Sequence, residues 1–495
     1  MSSELKDKAI KGVGWNMIER YSGQIVQFVI SIVLARMLTP SEYGLIGMLS
    51  IFMGLTTVFI DGGFSSALIQ RKDRTDRDIS TVFYINVGMA VMMYLMLFVS
   101  APWISAFYRQ PELTSIVRIY CLGLIISSLT STSGVLLVIN LDFKTTTKIS
   151  LSAAIISGII GIAMAYSGWG VWALVGQSMS SSVMSTVLTV YFVRWYPKSG
   201  FSRESFRRLF SFSSKLFAAT LITTVYDNIT GAVIGKQFSA AALGYYNRAY
   251  GFNQLVNSNI TGVLGRVSYP LLSQIQDQED RLRQIYKRYI QMSAFLTFPL
   301  LMILCGVAKP LVLFLLTDKW GDSIILLQIL SFSFLFDGVI ISNLNLIRVK
   351  GRSDLILKLE IIKKAVAFTI LGIAIAMDSI LAICIGKAIY SVFFALYLNT
   401  YYTKKLMGYG FRDQFSDFSP YLFVSLGVLA GCLLLSYLIP DSLAALLTGV
   451  IFGLCAYALA CKYLGLYAYN EFMNIIGPKL QRIVPKKFCR SQNNL

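Results

Sequence analysis

Apolar runs follow one another along the whole chain, and each is long enough to cross the hydrocarbon core of a bilayer. A helix needs about 20 apolar residues to span roughly 30 Å, and about fourteen runs approach that length. Hydrophobic residues make up 55% of the 495 residues. The pattern predicts an all-α integral membrane protein without a separate soluble domain. The predicted spans are residues 13–34, 44–66, 80–101, 116–138, 149–166, 170–192, 210–234, 242–268, 289–308, 323–346, 355–376, 378–400, 421–438 and 443–464.

A ten-residue motif occurs twice, at 35–44 and again 200 positions later at 235–244. Each copy has a basic residue, a small polar turn and a Gly at the start of the next apolar run. The repeat contains six spans, so both halves enter the membrane in the same direction, which is the parallel-repeat arrangement of many transporters. We therefore predict an N-lobe with spans 1–6, a C-lobe with spans 7–12, and two further spans with a basic cytoplasmic tail, over residues 1–200, 201–405 and 406–495.

The net charge of +19 is distributed by side of the membrane. Basic clusters around Arg74, Arg207 and Arg283 fall on the same predicted side as both termini. The positive-inside rule places that side, and therefore both termini, in the cytoplasm. A nucleic-acid site would not alternate loop by loop, so we predict no nucleic-acid partner. The loops expected to face outward include 35–43, 101–114 and 309–321.

The composition excludes several kinds of catalytic site. The chain has no His, which removes His-dependent nucleophilic triads and His-ligated metal sites. It also has no Gly-rich phosphate loop, and its seven Cys show no C-x-x-C spacing. The outward loops are too short to build a glycosyltransferase or polymerase site. We therefore predict no enzyme activity, no cofactor and no bound metal.

Polar side chains form stripes on four spans, at matching positions of the two repeats. In the first span, residues 16, 20, 24, 27 and 31 lie on one helix face. Isolated Ser and Thr in such positions often only hydrogen-bond a neighbouring helix. Long stripes that include Arg and Asp in both halves favour a water-filled cavity instead. The predicted cavity residues are Arg20, Gln24, Gln27, Asp61, Thr224, Asp227, Asn247, Arg248, Gln254 and Asn257.

Further charges lie within the spans of the second half, at Asp337, Lys363, Lys364 and Lys387. Asp337 and Lys387 are both expected near the bilayer midplane, where ionisable groups are rare and usually functional. An internal Asp337–Lys387 ion pair that holds the C-lobe together is the alternative, and the sequence leaves both open. As the carboxylate that couples transport to an ion gradient, we predict Asp227, because no basic residue lies within one turn of it, with Asp61 second.

Several segments resemble one membrane-protein family. They are Lys11-Gly12 with Trp15, the Glu19-Arg20 pair, residues 34–45 and residues 59–70. Together with the repeat, these segments are similar to polysaccharide repeat-unit flippases of the Wzx/WzxC type, in the multidrug/oligosaccharidyl-lipid/polysaccharide exporter superfamily. The resemblance covers essentially the whole chain, although its motifs are structural rather than catalytic.

The resemblance implies a flippase for undecaprenyl-pyrophosphate-linked oligosaccharide of an O-antigen, capsule or exopolysaccharide pathway. The substrate would move by alternating access from the cytoplasmic to the outer leaflet of a bacterial inner membrane. A proton or sodium gradient would drive it, and the polymerase and export components of the pathway would be partners. One alternative is a drug or small-cation exporter of the same superfamily, which typically has twelve spans and an acidic cavity. Another is a channel or a structural membrane component.

Overall fold

The computed structural model describes residues 3–474, so the predicted basic tail lies largely outside the described residues. Within residues 3–474 the chain is helical and forms no β-strand, which confirms the predicted all-α class. The helices are α1 (Ser3–Met37), α2 (Pro40–Met48), α3 (Ser50–Asp61), α4 (Phe64–Gln70), α5 (Asp76–Tyr108), α6 (Leu113–Tyr120), α7 (Leu122–Ile139), α8 (Phe143–Tyr166), α9 (Val171–Val193), α10 (Arg203–Gln237), α11 (Ala240–Ser273), α12 (Glu279–Gly306), α13 (Ala308–Leu316), α14 (Ser323–Phe334), α15 (Asp337–Val349), α16 (Ser353–Ala376), α17 (Ile380–Ile389), α18 (Leu396–Met407), α19 (Phe411–Leu438) and α20 (Ser442–Tyr463).

Ten helical segments of the described chain are long and apolar enough to cross a membrane, judged by length and composition. The other four predicted spans lie in α1, α9, α11 and α16, which are also long but are not among these ten segments. The predicted total of about fourteen spans therefore remains a prediction. The ten segments are Pro40–Asp61, Asp76–Tyr108, Leu113–Ile139, Phe143–Tyr166, Arg203–Gln237, Glu279–Gly306, Ser323–Val349, Ile380–Met407, Phe411–Leu438 and Ser442–Tyr463.

Contacts divide the chain into two compact units, at Met1–Asn247 and Arg248–Leu495. The first unit thus contains α10 and the start of α11, whereas the predicted N-lobe ends at residue 200. A division into lobes at that position remains a prediction.

Two apolar clusters hold helices of the first unit together. In one, Ile30 and Leu34 of α1 pack with Leu174 of α9. In the other, Leu68 of α4, Val82 of α5 and Leu209 of α10 pack together and are almost fully buried. The second cluster holds the start of α10 against α4 and α5.

The second unit is centred on α12. The ring of Phe298 lies 5.3 Å from that of Phe336 and 5.9 Å from that of Phe418, in edge-to-face geometry. The predicted outward loop 309–321 is mostly helical here, because α13 is apolar and Trp320, in the 3₁₀ turn that follows it, is fully buried. A π-helical turn at Tyr390–Ala395 joins α17 to α18.

Candidate functional site

The two copies of the repeated motif pack directly against each other within the first unit. A Cβ atom on Gly44 would lie 1.7 Å from the backbone oxygen of Ala240, and one on Gly244 would lie 1.9 Å from that of Pro40. Residues 40 and 44 correspond to 240 and 244, so the contact has an approximate two-fold relation. Only Gly at both positions lets the two backbones approach this closely.

Each copy also begins its helix in the same way. Thr39 forms a capping box with Glu42, whose carboxylate accepts from the Thr39 backbone N–H (2.6 Å). Ser239, the equivalent residue, accepts from the backbone N–H of Ala242 (3.0 Å). The polar turn predicted from the sequence is therefore a pair of helix N-caps.

A polar seam joins α3 to α10. A Cβ atom on Gly54 would lie 3.0 Å from the Thr224 Cγ2 atom and 3.3 Å from the Asn228 Nδ2 atom. Asn228 donates to the backbone oxygen of Thr224 (2.9 Å). Asp61 ends the seam and accepts from the backbone N–H of Gly63 (3.1 Å), where two Gly residues with positive φ separate α3 from α4.

The remaining predicted cavity residues of the first unit are placed as follows. Arg20 and Gln24 of α1 are half-buried, whereas Gln27 is exposed. Asp227 is also exposed, on the side of α10 that few residues cover. Asn247 lies beside Gly47, since a Cβ atom there would come within 2.2 Å of the Asn247 Nδ2 atom.

In the second unit, one predicted residue contacts a predicted charge. Asn257 is buried, and its Nδ2 atom donates to Asp337 Oδ2 (2.7 Å). The guanidinium of Arg248 lies 5.3 Å from the ring centroid of Trp320, and Gln254 is exposed. The structure therefore brings Asn257 and Asp337 together. A single cavity shared by all ten predicted residues remains a prediction, because those residues are divided between the two units.

The lysines of the second unit have different surroundings. The Nζ atom of Lys363 is 2.7 Å from Glu360 Oε1, and its side chain is largely buried. Lys364, one position on, is half-buried. Lys387 Nζ lies 4.3 Å from the ring centroid of Tyr250, which is a cation–π distance.

A buried hydrogen-bond network of the second unit was missed by the sequence analysis. Asn343 accepts from the Tyr286 hydroxyl (2.5 Å) and from Gln414 Nε2 (2.9 Å), and Gln414 Nε2 also lies 3.0 Å from the Thr403 hydroxyl. These residues join α12, α15, α18 and α19. A signal was present for Asn343, an amide within the apolar run 323–346, but Gln414 lies outside the predicted spans and nothing in the sequence pairs the two.

The same network reaches the boundary of α19. Asp417 accepts from the Tyr409 hydroxyl and from Gln291 Nε2 (3.1 Å), and its Oδ1 atom is 2.8 Å from Lys287 Nζ. Tyr409 lies in the turn before α19, and burial together with the Asp417 carboxylate raises the pKa of its hydroxyl above the ordinary value. The hydroxyl therefore stays protonated and acts as a fixed donor.

In the first unit the sequence analysis missed the ion pair between Asp78 and Arg208. The Asp78 side chain is fully buried at the start of α5, accepts from the Thr75 backbone N–H (2.9 Å), and contacts Arg208 of α10. The sequence places Arg208 among the basic residues of the predicted cytoplasmic side but does not pair it with Asp78. Their pairing fixes the start of α10.

Among residues 3–474, no group of three or more His, Cys, Asp or Glu is placed to hold a metal ion. The polar side chains of the candidate site carry amides, hydroxyls, cationic groups and carboxylates that do not cluster. Such groups bind and release polar ligands by hydrogen bonds and charge, which suits transport.

Comparison with known proteins identifies the family to which this chain is similar. The model of the family described as polysaccharide biosynthesis protein matches residues 33–325. The teichuronic acid biosynthesis protein TuaB of Bacillus subtilis is 27% identical over 348 residues, which cover 70% of this chain and 72% of that protein. The lipopolysaccharide biosynthesis protein WzxC of Escherichia coli K12 is 23% identical over 413 residues, 83% of this chain and 84% of that protein.

A solved structure shows the same fold. The lipid II flippase MurJ in an inward closed conformation superposes with a TM-score of 0.68, at 14% identity, over 92% of this chain and 99% of that chain. The resemblance to polysaccharide-pathway membrane proteins drawn from the sequence is confirmed by the family match. The chain is an integral membrane protein with a transporter fold, and it belongs to the polysaccharide biosynthesis protein family.

Proposed function

We propose that the protein is a flippase that moves a lipid-linked oligosaccharide repeat unit from the cytoplasmic to the outer leaflet of a bacterial inner membrane. The observation that carries the proposal is the combination of a family match over residues 33–325 with the fold of a lipid II flippase. WzxC, which aligns with 83% of this chain, belongs by its name to lipopolysaccharide biosynthesis. In this proposal the substrate carries a pyrophosphate and sugars at one end and a polyprenyl chain at the other.

Such a substrate needs a polar path, because an unpaired polar group in hydrocarbon costs several kcal/mol. The middle of α10 supports this requirement. Residues 214–233 are all partly or fully exposed, and they include Thr220, Thr223 and Asp227. In a membrane, the side of α10 that carries these polar side chains must face water, a polar ligand or other protein. Hydroxyls and a carboxylate are suitable partners for sugar hydroxyls.

The contact between the repeat copies supports alternating access. On the predicted outer side, Gly44 and Gly244 let two helix starts approach each other backbone to backbone. We propose that this contact between the repeat copies is closed when the protein accepts substrate from the cytoplasmic side, and that it opens when the substrate is released.

Energy coupling is a separate part of the proposal. The sequence contains no nucleotide-binding loop, so we propose that a proton or sodium gradient drives transport. Asp227 is the first candidate for the coupling carboxylate because it lies on the exposed side of α10. Asp61 is the second, but its hydrogen bond to Gly63 N–H also gives it a role in ending α3. Asp337, held by Asn257, is more suited to a fixed role in the second unit.

Purified protein in proteoliposomes tests the flippase assignment. Labelled polyprenyl-pyrophosphate oligosaccharide should become accessible to an external glycosidase only in vesicles that contain the protein. Cationic drugs should not be exported by the same vesicles. Drug export without movement of the lipid-linked sugar would instead favour the exporter alternative.

The coupling proposal uses the same vesicles with and without an imposed proton or sodium gradient. Asp227→Asn should lose the stimulation by the gradient, because the amide cannot change its charge. Asp337→Asn should keep that stimulation. If Asp227→Asn keeps the full gradient dependence of the parent protein, the assignment is wrong.

Topology is proposed as well, with both termini and the loop at Arg74 in the cytoplasm and the polymerase and export components meeting the outer face. Cysteine labelling in a Cys-free background tests it. An Arg74→Cys variant should stay unlabelled by an impermeant reagent added outside, and a Lys309→Cys variant should be labelled.

A further inference from the structure

A cationic cavity lies between the end of α4 and the start of α10, both in the first unit. Its volume is about 320 Å³, at the lower end of the usual range for small-ligand pockets. Arg71, Arg208 and Lys215 line it together with Gln70, Ser211 and Phe212. No carboxylate is among the described lining side chains, although Asp78 pairs with Arg208 and Asp73 lies within 4.0 Å of both arginines. The three lining cations outnumber these two carboxylates, so the cavity favours an anion.

One of its cations has an unused donor. The Nη1 atom of Arg71 is buried and has no hydrogen-bond partner in the described structure. Its Nε atom is only loosely paired, 3.7 Å from Asp73 Oδ1. A buried donor without an acceptor is unfavourable, and a guanidinium matches a phosphoryl group because its N–H groups can bind two oxygens at once.

The walls of the cavity are held in place. Gly62 and Gly63 both have positive φ, and a Cβ atom on Gly63 would lie 2.8 Å from the backbone oxygen of Ser213. This close approach sets α4 directly against α10. The Asp78–Arg208 ion pair fixes the other side. A preformed site loses less entropy on binding than one that must be assembled.

The surroundings favour an amphiphile over a free ion. Phe212 lines the cavity, and its ring is 41% exposed. An anionic headgroup in the cavity would therefore have an apolar surface beside it for an acyl or prenyl chain. The cavity also lies at the predicted cytoplasmic end of the spans, where the substrate of the proposed transport is made.

We infer that this cavity binds the phosphoryl group of a lipid headgroup. Two lipids offer that chemistry, the polyprenyl pyrophosphate of a lipid-linked sugar and an anionic phospholipid. The first source rests on the proposed function and would make the cavity a docking site ahead of transport. The second does not depend on that function.

Direct binding to the purified full-length protein tests the inference. Farnesyl diphosphate, phosphatidylglycerol and inorganic pyrophosphate are compared by native mass spectrometry and by thermal shift in a neutral detergent. Arg71→Gln and Lys215→Gln each remove one lining cation. Lys72→Gln and Arg207→Gln are matched controls, because both remove an exposed charge from the same segments without lining the cavity.

The expected result is about tenfold weaker binding of at least one of the two lipids in Arg71→Gln and Lys215→Gln, with parent-like binding in both controls. Loss confined to farnesyl diphosphate identifies the substrate as the source, and loss of phosphatidylglycerol identifies a resident lipid. Unchanged lipid binding in both cavity variants would overturn the inference, as would equal affinity of the parent for inorganic pyrophosphate and farnesyl diphosphate. The proposed function is judged separately, by transport in the parent protein.

Discussion

Two of the long helices, α10 and α12, are both apolar enough to span a membrane but are covered to very different extents. In the most apolar 18-residue stretch of α10 only 11% of the residues are buried, against 78% in α12. The buried residues of α10 lie at its ends, at Ser205, Leu209 and Ser213 and again at Ile234 and Gly235. Those of α12 continue through its centre to Gly306. Thus α12 forms the packed interior of the second unit, whereas α10 is fully buried only near its two ends and meets α3 in between through the partly buried Thr224 and Asn228.

The two attachments of α10 also differ in kind. Near its start, Arg208 pairs with the buried Asp78, and Leu209 enters an apolar cluster. Near its end, Gly235 packs under Met48, and Lys236 donates to the backbone oxygen of Phe107. The charged contact at the start is an ion pair with a buried carboxylate, whereas the one at the end is a hydrogen bond to a backbone oxygen.

The largest effect is expected from the packed helix. Phe298→Ala should destabilise the protein by about 3–5 kcal/mol, because it removes a fully buried ring from contact with Phe336 and Phe418. Ile222→Ala on α10, where the side chain is 60% exposed, is the control and should leave the stability unchanged. Folded protein recovered from membranes and its melting temperature in detergent measure both. Equal losses in the two variants would contradict the distinction between α10 and α12.

The next effect should be on transport rather than folding. Gly244→Val places a side chain where the backbone oxygen of Pro40 now lies, so the two repeat copies cannot close. Flipping should therefore fall at least about tenfold. A loss of this size is within the roughly 1–3 kcal/mol that an overpacked contact typically costs. Gly44→Val should behave in the same way because the contact is reciprocal. Gly251→Val, on the same helix as Gly244 but with open space around it, should transport normally. Normal flipping in the Gly44 and Gly244 variants would exclude a gating role for the contact between the repeat copies.

A smaller effect on stability is expected at the start of α10. Asp78→Asn should cost about 1–2 kcal/mol, less than a fully buried ion pair, because Arg208 is 35% exposed and can be solvated. Asp76→Asn is the matched control, since its pair with Lys198 is exposed on both sides. Melting temperatures of the two variants should separate. A loss for Asp76→Asn as large as for Asp78→Asn would mean that burial of the carboxylate is irrelevant.

The smallest effect should come from the exposed pair of Arg352 and Asp354. The Arg352 guanidinium lowers the pKa of Asp354 to about 2, below the ordinary value near 3.9. Because the pKa is lowered in the folded state, any stabilisation is present above about pH 4 and is lost as the pH falls through about 2. Asp354→Asn should therefore melt close to the parent at pH 7, and the remaining difference should vanish on acidification. A difference that grows as the pH falls would have the wrong sign.

The sequence alone predicts some features of this protein and not others. The all-α membrane class, the duplication at residues 35–44 and 235–244, and the polar side of α10 follow from local pattern, because the bilayer imposes span length and a polar stripe marks the face turned away from lipid. The family resemblance rested on the same local segments, and the match over residues 33–325 confirms it.

Only the tertiary structure decided which polar groups meet. Asp78 and Arg208 are 130 residues apart, and Asn257 and Asp337 are 80 apart, so no periodicity could pair them. The close contact of Gly44 with Ala240 and the cavity at Arg71 likewise depend on how helices pack, which sets distances that the order of residues does not contain. The sequence by itself determined the all-α membrane class and the duplication, because hydropathy and a repeated motif are local properties of the chain. The ion pairs, the contact between the repeat copies and the cavity could be seen only in the fold, because each is made by side chains or backbones from distant segments.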